Sequence, residues 1–159
     1  MKKIILSLIL CFHAWSAICA QSFDEDRVAF SNFIERMYNN APFEGCRIVD
    51  DYDHSYLCSV VVLEKSKYKN SIAMNRVSQV KSQRNAGEFF NGTQSYSEYI
   101  IKTPECKNHE NETGKDSGVI ETFEVIKTSS TGFVQQLQLL TTFDDSEGNK
   151  VYIYCKDIK

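Results

Sequence analysis

The densest group of chemically capable side chains lies around residue 52. Asp50, Asp51, Asp53 and His54 stand within one short polar segment. Carboxylate oxygens at this density suit Ca²⁺, but the longer, glycine-containing loop of an EF-hand is absent. We therefore interpret the segment as a solvated turn rich in Asp. These four residues are candidate binding residues, and no metal site is predicted from them.

A second candidate is the pair Cys106 and His109, whose spacing is that of half a zinc site. A structural zinc needs about four ligands. No second short-spaced Cys/His pair follows, so Cys155 alone would have to complete the set. The pattern favours a disulfide or loop thiol over a metal ligand, and His109 is kept as a candidate binding residue.

Catalytic motifs are missing from the sequence. A cysteine nucleophile needs an activating base, and Cys58 stands in an apolar run without one. Neither Gly-x-Ser-x-Gly nor a glycine-rich phosphate loop occurs. We predict a protein that is not an enzyme and takes no cofactor. An enzyme or metal-binding protein using His54 or Cys106/His109 remains an alternative.

The first twenty residues have the layout of a secretory signal peptide. A basic start, Met1-Lys2-Lys3, precedes an uncharged apolar run, and the small residue Ala20 precedes an acidic segment. The pattern predicts cleavage after Ala20 and an exported protein, periplasmic or secreted. Cys19 leaves open a lipid-anchored form, although the bulky Ile18 stands where lipoproteins carry a small residue.

Four cysteines remain after residues 1–20 are removed. An even number of cysteines in an oxidising compartment indicates disulfides. If the segment around them folds as a hairpin about Tyr52, Cys46 and Cys58 face each other and form a cross-strand bridge. The remaining predicted pair is Cys106 and Cys155.

The composition limits the partners. Of 159 residues, 139 follow the signal peptide, and they fit one domain, predicted over 21–159. The net charge of −3 is mild, and Lys and Glu are interspersed, so nucleic-acid binding is not indicated. No later segment is long and apolar enough to cross a membrane. The expected partner is an unidentified envelope or extracellular protein.

The periodicity predicts helix, hairpin, long helix and then strands. Helical spacing begins after a Ser22/Glu25 capping box and ends at Asn39-Asn40, before Pro42. The hairpin spans 46–63 around a turn at 50–54, and its Val-rich second strand should be central. The second helix runs from about residue 70 to Phe90. Four further strands are predicted at 95–103, 119–127, 133–143 and 151–155, with a long loop over 104–118.

This order indicates an α+β fold: two helices packed on one face of a mainly antiparallel sheet of about five to six strands. The apolar stripe of the second helix is predicted to comprise Ala73, Val77, Val80, Gly87 and Phe90. Arg84 falls inside that stripe. It is interpreted as a snorkelling or ion-paired residue at the core margin, with ligand or partner contact as the alternative.

Several segments resemble a family of exported proteins. They are Arg76–Ala86, Phe89-Phe90-Asn91-Gly92, Ser97–Ile101 and Thr131-Gly132-Phe133-Val134. Together they resemble small uncharacterised exported proteins of Gram-negative anaerobes and, more distantly, the amino-terminal domain of flagellar assembly protein T and related small outer-membrane lipoproteins. The resemblance implies an envelope or surface module built from a helix against an antiparallel sheet, with no active site to transfer.

The sequence therefore predicts an exported, non-catalytic binding or assembly module. Its surface is expected first at the turn Asp50–His54 and the loop Pro104–Gly118, since loops on a rigid sheet commonly carry recognition. A secreted inhibitor of cystatin-like shape is an alternative, although the Gln-x-Val-x-Gly hairpin of cystatins is absent.

Overall fold

The computed structural model describes residues 26–51, 54–92, 99–103 and 130–158, without the side chains of residues 130 and 131. The chain divides into two compact units between Pro42 and Phe43. In the first unit, residues 26–40 form helix α1, as the apolar spacing predicts. The Ala41 N–H donates to the Met37 carbonyl oxygen at 3.1 Å. Pro42 then follows, and its ring cannot continue a helix.

The described part of the second unit contains five strands, two helices and one 3₁₀ turn. The strands are β1 (Gly45–Asp51), β2 (His54–Leu63), β3 (Ile100–Lys102), β4 (Gln138–Asp144) and β5 (Lys150–Asp157). The helices are α2 (Ser71–Gly92) and the short α3 (Ser130–Val134), and the 3₁₀ turn is Lys65–Lys67.

The strands form one sheet in the order β3-β1-β2-β5-β4. The β1–β2, β2–β5 and β4–β5 pairs are antiparallel, and β3 pairs in parallel with β1. The fold is α+β with a mostly antiparallel sheet, as predicted. β2 lies in the middle of the sheet, and Val60, Val61 and Leu63 are buried there. The prediction of a central Val-rich strand is confirmed.

Helix α2 packs on one face of the sheet. Its first turn is capped by Asn70, whose Oδ1 accepts a hydrogen bond from the Ala73 N–H at 2.8 Å. The residues of α2 that are buried are Met74, Ser78, Ser82, Ala86, Phe89 and Phe90. The predicted stripe is therefore partly wrong, because Val80 is 65% exposed.

Small hydroxyl residues replace aliphatic ones at the centre of this contact. Ser78 and Ser82 are fully buried. Their hydroxyls donate to the carbonyls of Asn75 and Gln79, one turn back along the helix. Because these polar groups are satisfied within the helix, they can face the sheet without an unpaired donor.

Two strand predictions need correction or fall outside the described residues. The predicted strand 133–143 begins only at Gln138, because residues 130–134 are helical and Val134 is buried. The predicted strand 95–103 is strand only over Ile100–Lys102 among its described residues. The predicted strand 119–127 and the loop Pro104–Gly118 lie outside the described residues. The predicted single domain over 21–159 stays a prediction.

No helix in the described residues is long and apolar enough to cross a membrane.

Candidate functional site

One end of the sheet carries a group of exposed or half-buried polar side chains. Successive side chains of a strand point to opposite faces, so His54 and Tyr56 of β2 share one face. Asp51 of β1 pairs with His54, and Asp157 of β5 pairs with Tyr56. We call Asp51, His54, Tyr56 and Asp157 the hairpin-end surface. These residues lie on the sheet face opposite to the one that packs against α2.

Short contacts connect the members of this surface. His54 Nδ1 lies 3.4 Å from Asp157 Oδ2, and the two side chains are 55% and 50% exposed. The His54 and Tyr56 rings are 6.1 Å apart between centroids, with a tilted geometry. Asp51 Oδ1 accepts a hydrogen bond of 2.7 Å from Thr103 Oγ1. The surface therefore combines residues of the neighbouring strands β1, β2 and β5, and Thr103, which directly follows β3, contacts it.

The electrostatic character of the hairpin-end surface is acidic. Burial, followed by the negative charges of Asp157 and Asp51, raises the pKa of Tyr56 from 10.0 to about 12. The Tyr56 hydroxyl therefore stays protonated and can donate a hydrogen bond at neutral pH. Two carboxylates beside two aromatic rings present hydrogen-bond acceptors and π faces to one region of solvent.

A pair of buried thiols lies directly inward from the hairpin-end surface on the same face. Cys58 and Cys155 are paired across β2 and β5, and their Sγ atoms are 2.7 Å apart. Cys58 has no exposed surface and Cys155 is 9% exposed. Burial and the contact with Cys155 raise the pKa of the Cys58 thiol well above 9.0. A thiol held protonated in this way is a poor nucleophile.

The predicted disulfide between Cys46 and Cys58 is wrong, because β1 and β2 pair in a different register from the one it assumes. The hairpin pairs Cys46 with Ser59 and Cys58 with Arg47, one residue away from the predicted alignment. A shift of one residue sends a side chain to the other face of a sheet. Cys46 therefore points into the core beneath α2. Cys46, Cys58 and Cys155 are free thiols in the structure, and Cys106 lies outside the described residues.

The side chains of the predicted Asp-rich turn at 50–54 do not meet in one site. Asp50 is 3% exposed and accepts a hydrogen bond from Ser55 Oγ at 3.1 Å. It is therefore a buried strand residue, and the prediction of a solvated turn there is wrong. Asp50 and Asp51 are consecutive strand residues, so their side chains point to opposite faces of the sheet. Asp53 lies outside the described residues, as does His109.

Arg84 lies on the exposed side of α2. Its Nε is 2.7 Å from Glu88 Oε1, one turn along the helix, and its side chain is 73% exposed. The predicted ion pair is therefore present, but the placement of Arg84 inside the buried stripe is wrong. Water and salt screen an exposed pair of this kind, so it contributes little to stability.

Within the described residues, no group of three or more His, Cys, Asp and Glu side chains is arranged to hold a metal ion.

Sequence reasoning missed Tyr56, Asp157 and the pairing of Cys58 with Cys155. The signal was available within each strand. His54, Tyr56 and Cys58 alternate along β2, and Cys155 and Asp157 alternate along β5. Period-two alternation assigns them to one face of each strand. The order of strands in the sheet, which makes β5 the neighbour of β2, was the missing information.

Comparisons with protein-family models, curated proteins and solved structures find no match to this chain. The resemblance to small exported proteins and to the amino-terminal domain of flagellar assembly protein T stays a prediction.

Proposed function

We propose that this protein is an exported, non-catalytic module that binds an envelope or extracellular protein through the hairpin-end surface. Export is supported by the signal-peptide pattern of residues 1–20. The observation that carries the site is the half-exposed pair His54 and Asp157, which stands beside Tyr56 and Asp51 on one face.

The chemistry of this surface favours a cationic group on the partner. Carboxylates accept charge-assisted hydrogen bonds from Arg and Lys. Aromatic faces attract the same cations within about 6 Å of the ring centroid. A partner segment that presents Lys or Arg would engage both kinds of group. The strands hold the backbone of these residues in place, which lowers the ordering cost of binding.

The chemical state of four buried side chains, Cys46, Cys58, Ser78 and Ser82, supports binding over catalysis. Burial raises the pKa of the Cys46 thiol to about 12, and Cys58 is shifted in the same direction. The Ser78 and Ser82 hydroxyls donate to helix carbonyls and have no base as acceptor. Activation of a nucleophile requires the opposite arrangement, a lowered pKa or an adjacent base.

Zero-length cross-linking tests the proposal. A carbodiimide joins a carboxylate directly to a lysine, so treatment of intact envelopes should link Asp157 to a lysine of the partner. We expect Asp157→Asn to reduce the adduct several-fold. Asp144→Asn is the matched control. Asp144 is also 50% exposed and ion-paired, but it is the last residue of β4 and lies opposite Lys150, at the far end of β5 from Asp157.

Equal loss of the adduct in Asp157→Asn and Asp144→Asn would contradict the assignment of the surface. Raising the ionic strength should also lower the adduct yield, because exposed charges are screened beyond about 8 Å at physiological salt.

A further inference from the structure

We propose that Cys58 and Cys155 form a cross-strand disulfide that fastens the C-terminal strand β5 to the central strand β2. The inference goes beyond the proposed function and depends on export only for the source of the oxidant. It rests on three independent features of the pair: strand register, the distance between the sulfur atoms and burial.

The register places the two cysteines directly opposite each other. In the antiparallel β2–β5 pair, Cys58 is the partner of Cys155, with Ser59–Tyr154 and Leu57–Lys156 on either side. Directly opposite residues have Cβ atoms about 4.5–5.5 Å apart, and a bridge needs about 3.5–4.5 Å. A small local adjustment therefore suffices. The two Sγ atoms are 2.7 Å apart, so the side chains already point towards each other.

The other described thiol is excluded by geometry. Cys46 lies on the opposite face of the sheet, in the core beneath α2. Cys46 of β1 pairs with Ser59 of β2, and Cys58 of β2 pairs with Arg47 of β1. A Cys46–Cys58 bridge would require a shift of one residue along the whole hairpin.

The oxidant that the proposal needs is a disulfide, supplied by a thiol–disulfide oxidoreductase or by a small-molecule disulfide such as oxidised glutathione. The exchange takes place during folding, before both sulfurs are buried. The Cys155 thiolate attacks one sulfur of that disulfide and expels a thiolate. The Cys58 thiolate then attacks the Cys155 sulfur in the mixed disulfide and expels the second thiolate. Two protein thiols are oxidised, one external disulfide is reduced to two thiols, and the two protons pass to the expelled thiolates.

The position of the bond gives it a structural role. Cys58 and Cys155 are 97 residues apart in sequence. The closed loop contains α2, β3, α3 and β4, so the bond constrains most of the second unit in the unfolded state. A large loop of this kind gives the greatest stabilisation in the chain-entropy view. The buried sulfurs are then shielded from reductants in the folded protein.

Non-reducing tryptic mapping tests the proposal directly. The full chain is refolded in a glutathione redox buffer, alkylated and digested. Cleavage at Arg47 separates Cys46, in peptide 37–47, from Cys58, in peptide 48–65, and Cys155 lies in peptide 151–156. We expect peptide 48–65 to be joined to peptide 151–156, and the same product from Cys46→Ser.

Alkylated, unlinked Cys58 and Cys155 would overturn the proposal, as would peptide 48–65 joined to 37–47 or to the Cys106 peptide 103–107. Because the wild-type map decides the pairing, the test holds even if Cys46→Ser does not fold. We also expect the oxidised protein to lose several degrees of Tm on reduction. An unchanged Tm would contradict the role as a fastening between β2 and β5.

Discussion

Three side chains of the sheet hold protons that they would release more readily in an unfolded chain. Burial raises the pKa of Cys46 and Tyr56 to about 12, and that of Cys58 in the same direction. In each case the neutral form is the one compatible with the folded structure. These residues therefore link the stability of the fold to alkaline pH.

We expect the free energy of unfolding of the reduced protein to fall as pH rises from about 9 to about 12. The pKa of each group is raised on folding, so the folded state binds more protons than the unfolded state across this range. Stability is full below the unfolded pKa and is lost as pH rises through the folded one. Urea unfolding at pH 8, 9, 10 and 11 measures the slope.

Above about pH 9, we expect the free energy of unfolding of Cys46→Ser to fall less steeply with pH than that of the wild type. The reason is that the serine hydroxyl does not ionise in this range. A pH-independent free energy of unfolding between pH 8 and 11 would contradict the pKa shifts. A steeper decline in Cys46→Ser than in the wild type would do so too.

The identity of the candidate residues could be predicted from the sequence in part. His54 and Asp51 stand out as polar residues beside a strand, and both are on the hairpin-end surface. Asp50 could not be separated from Asp51 without the register, which sends it to the buried face. Alternation with Cys155 gives the strand face of Asp157 but not its neighbours, because its place beside His54 depends on a pairing between strands almost a hundred residues apart.

At the scale of elements, α2 shows how packing overrides the apparent apolar stripe. Val80 and Ile72 are mostly exposed, while Ser78 and Ser82 are buried. Small side chains let a helix backbone approach the sheet closely. The Ser82 carbonyl accepts a hydrogen bond of 3.1 Å from Ser59 Oγ on β2, which such an approach permits. Ser78 Oγ lies 2.8 Å from the Tyr154 hydroxyl on β5.

We expect Ser78→Leu to destabilise the protein by about 1–3 kcal/mol. The larger side chain overpacks the helix–sheet contact, and the Tyr154 hydroxyl loses a partner. Thermal or urea unfolding measures the change. Ser78→Ala should cost less, about 1 kcal/mol, because it removes the hydrogen bond without adding volume.

Val80→Leu is the control for this prediction. It lies on the same helix with 65% exposure, and exposed substitutions usually change stability by about 0.5 kcal/mol or less. If Val80→Leu were as damaging as Ser78→Leu, the buried face of α2 would be assigned wrongly.

The elements that the sequence predicted well have local signals. The Asn70 cap marks the start of α2, and Asp145 marks the β4–β5 turn, where its Oδ1 accepts from the N–H groups of Glu147 and Asn149. Gly148 in that turn has φ of +81°, which favours glycine. The start of β4 lacked such a signal. Phe133 packs on Phe90 with centroids 5.6 Å apart, so tertiary contact favours a helix where alternation indicated a strand.

At the scale of the whole molecule, a sheet of five strands carries the hairpin-end surface at one end. α2 covers one face of the sheet, and the hairpin-end surface lies on the opposite face, next to the buried Cys58–Cys155 pair. The parallel strand β3 brings Thr103 to Asp51 and so completes that end of the sheet. The α+β class was predictable from the order of elements, whereas the strand order that assembles the surface was not.

The central claim is that the hairpin-end surface contacts a protein partner. The most direct test places a photo-reactive phenylalanine analogue at position 54 of the full chain and irradiates intact cells or envelopes that contain it. We expect a discrete adduct whose cross-linked partner peptide, identified by mass spectrometry, carries Lys or Arg near the linked residue. The same analogue at position 144 should give no such adduct. Adducts of equal yield from both positions, or none from position 54, would contradict the account.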